Sequence, residues 1–355
     1  MQTRNSESQI SFFDKSKNFL IFISLLSATY LTCMIAGTQW AFKDYLEITN
    51  WHYGIEYATL LIIFLSAHEF GHYFAARLHK VEATLPYYIP FPLTISINFG
   101  TFGAVIKTKT PIPNRKAMFD IGVAGPIAGF IVCTAYLIYG LSTLPGIEYI
   151  YHLHPDYVTQ LGGRIPNTGL YFGDTLYFHL LSSFFANPTG FLPPMNEIYH
   201  YPFLNVGWFG LFVTSLNMLP MGQLDGGHTT FSMFGDKVHF LIARIIFWIL
   251  LIIGICASLG MFYIFFKIDM DNYWFYLAKD IFYPPLLYIN NNFPIVYKGW
   301  SGWLLWAMLA KFAIKLRHPP VYDNTPLNPA RMLVGALALI ILMLSFSFNG
   351  IYIIE

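Results

Sequence analysis

The sequence predicts an all-α polytopic membrane protein of about seven transmembrane helices, with a short membrane-associated β-hairpin between the second and third. Three observations carry this. Of 355 residues, 55% are hydrophobic and only 11% are charged, with a mean hydropathy of +0.51; a soluble domain carries about a quarter charged residues. Apolar runs long enough to cross a hydrocarbon core of about 30 Å recur along the chain. Basic residues gather in alternate loops. A net charge of +1 without a basic cluster argues against nucleic acid as a partner. Cys33, Cys133 and Cys256 each sit in an apolar run and no C-x-x-C occurs, so they read as small fillers of helices.

Residues 1–17 are polar and read as a flexible tail. The first span, Phe19–Thr38, is longer than the apolar region of a signal peptide and is flanked by Asp14, so it reads as retained. Further spans follow at Tyr57–Leu78, Phe119–Leu141, Phe203–Leu219 (stopped by Pro220), Leu241–Phe266, the short Trp300–Ile314, and Met332–Ile353. An N-terminus in the cytoplasm leaves only Lys43, Arg164, Lys267, Lys279 and Lys298 of the 20 basic residues on the opposite side. The predicted location is therefore the cell membrane, multi-pass, with the end of the second span toward the cytoplasm.

Between the second and third spans, five prolines from Pro86 to Pro113 exclude a long helix. Ile95, Ile97 and Phe99 alternate, and Gly100 and Gly103 allow a turn before a second extended run. This predicts a hairpin over Ile95–Lys109 dipping into the membrane, where irregular backbone needs protein or a water-filled cavity around it. The third span carries Gly125-x-x-x-Gly129, a surface on which two helix backbones approach closely. The loop 143–202 is predicted to lie outside the cytoplasm. Its His152, His154, His179 and His200 read as solvated rather than as metal ligands, and it is too short for a large separate domain.

The chemistry is concentrated in the second span, at Ser66-Ala67-His68-Glu69-Phe70-Gly71-His72. Positions i and i+4 of a helix share a face, so His68 and His72 offer two imidazoles to one metal. Glu69 lies about 100° round the helix from His68, placed to take a proton from the attacking water. A catalytic zinc needs a third protein ligand. Asp225, in Pro220-Met-Gly-Gln-Leu-Asp225-Gly226-Gly227-His228, is the first candidate. Taken alone it reads as a helix N-cap; beside a buried H-E-x-x-H it reads as a ligand. His228 is the alternative ligand. Asn217, an amide near a helix end, either bonds a neighbouring helix or holds substrate backbone or an oxyanion.

Together, H-E-F-G-H, G-T-F-G-A-V-I, F-D-I-G-V-A-G-P-I-A-G and L-N-M-L-P-M-G-Q-L-D-G-G-H resemble the site-2 protease family of intramembrane zinc metalloproteases, in a branch with no room for a PDZ domain. The tail His318–Asn328 resembles a branch of the family less specifically. The resemblance implies one Zn2+ per chain held by His68, His72 and Asp225, with Glu69 as catalytic base. It implies cleavage inside the membrane-spanning segment of a single-span membrane protein in the lipid bilayer. An upstream site-1-type protease usually cuts first, and a cytosolic regulator is released. The chain reads as one membrane-embedded peptidase domain over 1–355, with the catalytic core at about 55–235 and C-terminal helices at about 236–355. The competing readings are an ion transporter, an inactive scaffold that binds membrane proteins, and a membrane zinc hydrolase acting on a non-helical substrate. An extended substrate would pair with the edge of the hairpin.

Overall fold

The computed structural model describes residues 2–91 and 98–354. Helix α1 runs from Gln2 to Trp40, so the expected N-terminal tail continues the first helix instead. A 3-10 turn at Ile48–Gly54 folds back along α1 and leads into α2, Ile55–Leu78. Gly54 permits this return, since a Cβ there would collide with the carbonyl of Met34. Helix α2 opens with Glu56 in its first turn, favourable to the helix dipole, and stops just before Lys80, whose φ is +57°.

Strands β1 (Tyr87–Pro90) and β2 (Thr101–Val105) pair antiparallel, with Tyr88 opposite Ala104 and a register shift before Pro90 opposite Thr101. The expected hairpin therefore exists, with different arms. Ile95 and Ile97, whose alternation suggested the first strand, lie outside the described residues. Gly100 and Gly103 do not form its turn. Gly100 (φ +80°) passes against α1, where a Cβ would strike the backbone of Cys33, and Gly103 sits within β2. Thr32 donates a hydrogen bond to the Gly100 carbonyl at 2.6 Å, which fastens the sheet to α1.

Helix α3, Arg115–Ser142, is capped by Asn114, whose side chain accepts from the Ala117 amide at 2.8 Å. It packs on α2 at close range: a Cβ on Gly71 would lie 2.7 Å from the Ala124 carbonyl oxygen. The segment after α3 carries short helices α4 (Glu148–Leu153) and α5 (Pro155–Thr159), strand β3 (Gly169–Phe172) and helix α6 (Leu176–Phe185). Ile150, Phe172 and Ile198 are fully buried. Helix α7, Pro202–Asn217, begins with proline at its first turn, where the missing amide costs nothing. Phe64, Leu61, Cys133, Leu137 and Trp208 form the buried core where α2, α3 and α7 meet.

Helix α8 (Asp225–Phe234) joins α9 (Asp236–Phe265) through Gly235. A further helix, α10 (Tyr273–Asn292), replaces an expected loop; Phe275 and Tyr283 pack it onto Phe266 and Tyr263 of α9. Then come α11 (Gly302–Leu309), wound on to Ile314, and α12 (Pro329–Ser345). The predicted last span to Ile353 is cut short. Phe346 is extended, Gly350 has φ +53°, and Ile351–Ile354 forms β4, which pairs with β3. Tyr352 opposes Tyr171 there, with rings stacked at 5.5 Å. Among the described residues, α1 (from Ser16), α3 and α9 are long and apolar enough to cross a membrane, with shorter apolar helices at α6, 302–314 and α12. With the composition, this marks a multi-pass membrane protein.

Candidate metal centre

The two histidines of α2 point at one spot. His68 Nε2 and His72 Nε2 lie 3.1 Å apart, and Asp225 Oδ2 lies 3.4 Å from the first and 3.3 Å from the second. Three ligands about 2.0–2.1 Å from a tetrahedral zinc are about 3.3–3.4 Å from one another. The three donor atoms thus already sit close to the edges of a zinc coordination tetrahedron, and the donor set of two imidazoles and a carboxylate is one zinc takes.

Each ligand is held by its element. His72 donates from Nδ1 to the Ile121 carbonyl of α3 at 2.7 Å, which leaves the Nε2 lone pair facing the centre. Its ring occupies space that Gly125 leaves open, for a Cβ on Gly125 would overlap the imidazole. Gly129, one turn on, faces Phe64 and His68, with a Cβ there 3.3 Å from His68 Nδ1. The G-x-x-x-G stripe, expected to pack α3 against the catalytic helix, thus also makes room for the ligands.

Asp225 is brought in by the turn after α7. Gly222 adopts φ +48°, and a Cβ on Gly226 would meet the Met218 carbonyl, so α8 starts tight against that turn. Leu224, not Asp225, is the N-cap residue, and no side chain caps the helix. The Asp225 carboxylate is turned to the histidines instead. His228, the alternative ligand, faces elsewhere: its Nδ1 is 2.7 Å from His318 Nε2.

Glu69 is buried and shares a cavity of about 550 Å³ with the three ligand residues and Asn217. Asn217 Nδ2 is 3.4 Å from His68 Nε2. One wall is β2 and its continuation, Ala104–Ile106; another is the segment Pro319–Tyr322. That second wall had no place in the site as read from the sequence. The adjacent prolines 319 and 320 were the available signal of a stiff, extended strap. The strap is anchored by Asp323, whose carbonyl accepts from the Arg115 amide at 3.1 Å and whose amide donates to Pro113 at 3.2 Å.

A helical membrane protein with a zinc-type ligand triad and a buried glutamate on one internal cavity has the makings of a membrane-embedded zinc hydrolase. The chain belongs to peptidase family M50, the site-2 protease family of zinc metalloproteases, whose family model matches residues 56–261, from α2 through most of α9. It is similar to three Arabidopsis thaliana proteins. Probable zinc metalloprotease EGY1, chloroplastic, is 32% identical over 170 residues, 48% of this chain and 28% of the relative. Probable zinc metalloprotease EGY2, chloroplastic, is 28% identical over 186 residues, 52% of this chain and 29% of the relative. Probable zinc metallopeptidase EGY3, chloroplastic, is 24% identical over 221 residues, 54% of this chain and 33% of the relative. The chain spans about a third or less of the length of these relatives. No solved structure matches it.

Proposed function

We propose that this chain is an intramembrane zinc metalloprotease that hydrolyses a peptide bond within the transmembrane segment of a single-span membrane protein and so releases a cytosolic regulator. The observation that carries the proposal is the coincidence, in one cavity, of the His68–His72–Asp225 donor geometry, Glu69 and an edge of β2 that no other strand covers among the described residues. In this reading the chain is one domain of about seven spans in the cell membrane, with its N-terminus in the cytoplasm. An upstream protease trims the substrate first.

His68, His72 and Asp225 would hold the zinc, which supplies Lewis acidity to the scissile carbonyl and to the attacking water. Glu69 takes a proton from that water and passes one to the leaving amine. Asn217 directs its amide toward the same space, where it donates to the carbonyl oxygen as negative charge builds there. Burial of these groups among α2, α3 and α7 keeps the charges in protein rather than lipid, where they would be costly.

A helical substrate hides its peptide bonds in its own hydrogen bonds, so it must unwind. Past the end of β2, the Lys107 and Lys109 amides bond Thr84 Oγ1 at 3.1 Å and the Glu82 carbonyl at 2.7 Å. Strand alternation then turns the Ala104 and Ile106 amides the other way, along the cavity wall that both residues line, where the Ile106 amide donates to the Glu69 carboxylate. The unwound substrate pairs with this edge. Ala104→Pro removes one edge donor and leaves the Ile106 amide on the Glu69 carboxylate, and proline is tolerated on an edge strand. The expected result is at least a tenfold loss of cleavage at unchanged metal content. Cleavage at the wild-type rate would exclude edge pairing.

The proposal as a whole is tested by incubating the purified chain with a single-span membrane protein, a short water-soluble peptide and a lipid ester. Preferred, chelator-sensitive cutting of the membrane protein is expected. Equal or faster turnover of a short soluble peptide or a lipid ester would move the assignment to a membrane hydrolase of another substrate class.

A further inference from the structure

The loop expected to carry solvated histidines instead buries two of them around a carboxylate. His154 lies between α4 and α5; Glu197 and His200 lie in the turn that leads into α7. Their exposures are 8%, 1% and 2%. His154 Nε2 and His200 Nε2 are 2.9 Å apart, and Glu197 Oε2 is 3.4 Å from His200 Nε2 and 3.8 Å from His154 Nε2. Two Nε2 atoms and one carboxylate oxygen face one point, as at the first centre, with separations that bracket the tetrahedral edge of about 3.3–3.4 Å.

The surroundings are those of a metal site. His200 donates from Nδ1 to the Trp40 carbonyl at 2.9 Å, which fixes the tautomer and leaves Nε2 free to ligate. Tyr157 donates to Glu197 Oε1 at 2.8 Å and so orients the carboxylate. The other oxygen, Oε2, is buried with no hydrogen-bond partner. A buried acceptor of that kind is costly unless something positive meets it. Tyr157 and Phe42 pack on the His154 ring at 4.6 Å each and close the cluster over.

We propose that His154, Glu197 and His200 form a second zinc site, structural in role, which ties the segment between α3 and α7 to the end of α1. It is separate from the first centre. The Trp40 carbonyl is at the terminus of α1 that packs beside the start of α2, and His68 and His72 lie 13–17 residues further along α2, about 20–25 Å away. The ligands come from two points of the chain, so the metal closes the 154–197 loop, and the hydrogen bond from His200 to the Trp40 carbonyl fixes that loop to α1.

The test is metal stoichiometry of the full chain, stripped with chelator and then dialysed against dilute Zn2+. Two zinc ions per wild-type chain are expected, one in His68→Ala/His72→Ala, and one in Glu197→Gln/His200→Ala. A wild type that binds one zinc, with none left in His68→Ala/His72→Ala, overturns the proposal. So does a second zinc that survives Glu197→Gln/His200→Ala. If that double variant does not fold, Co2+ replaces Zn2+ in the His68→Ala/His72→Ala background. Visible absorption of a low-coordinate Co2+ that is altered by Glu197→Gln alone supports the site, and absorption insensitive to it refutes it. A single zinc in the wild-type chain that persists in His68→Ala/His72→Ala and is lost in Glu197→Gln/His200→Ala would overturn the first centre and leave this one standing.

Discussion

Glu69→Gln is expected to keep the metal content of the wild-type chain and to lose cleavage by about 10²–10⁴-fold, the range for removal of a general base. The amide has nearly the shape of the carboxylate, so packing against the cavity wall is preserved, but it cannot accept the proton from the attacking water. Glu69 is not one of the three donors that converge on a point, so the ligand set survives. Metal analysis beside a cleavage assay checks this. Loss of the metal from the variant would mean that Glu69 supports the centre, and retained cleavage would mean that another group moves the proton.

The second large effect is expected at a residue with no side chain. Gly125→Ala should lower metal affinity at the first centre by 10-fold or more and abolish most cleavage, because its methyl group would occupy the place of the His72 imidazole. Displacing that ring also breaks its hydrogen bond to the Ile121 carbonyl, and loss of such a supporting partner costs about 10–100-fold in affinity. Gly129→Ala is the control. Its Cβ would lie 3.1 Å from the Phe64 ring and 3.3 Å from His68 Nδ1, a pressure that small shifts relieve. Metal titration of the two variants should separate them clearly. Equal affinity for Gly125→Ala and the wild type would mean that α3 yields and that the close approach does not position His72.

Much of the site was legible because its signals are local. The spacing of His68 and His72 fixes their shared face whatever surrounds them, and the glycine-rich turn after Pro220 marks a place where backbone must come close. Asp225 was legible only through its company, since an aspartate at the start of a helix is ordinarily a cap. In the structure the N-cap position falls to Leu224, and Asp225 Oδ2 lies 3.4 Å and 3.3 Å from the two imidazole Nε2 atoms. The hairpin arms were misread because Gly100 and Gly103 look like a turn, while the conformation at Gly100 answers to a contact with α1, 68 residues away along the chain from Thr32. Likewise, the C-terminal break at Phe346–Gly350 depends on pairing of β4 with β3, more than 150 residues earlier. The cluster of His154, Glu197 and His200 spans 46 residues without a motif. Long-range contacts of this kind leave no period in a sequence.

The bond cut is expected to lie inside a membrane-spanning helix. The most direct test is to identify, by mass spectrometry, the new termini produced from a single-span substrate by the purified, metal-loaded chain. The account predicts one or a few adjacent bonds within the span, with no product from Glu69→Gln or after chelation. Cleavage confined to the segments outside the membrane, or none at all by a wild-type chain shown to hold its metal, would contradict it.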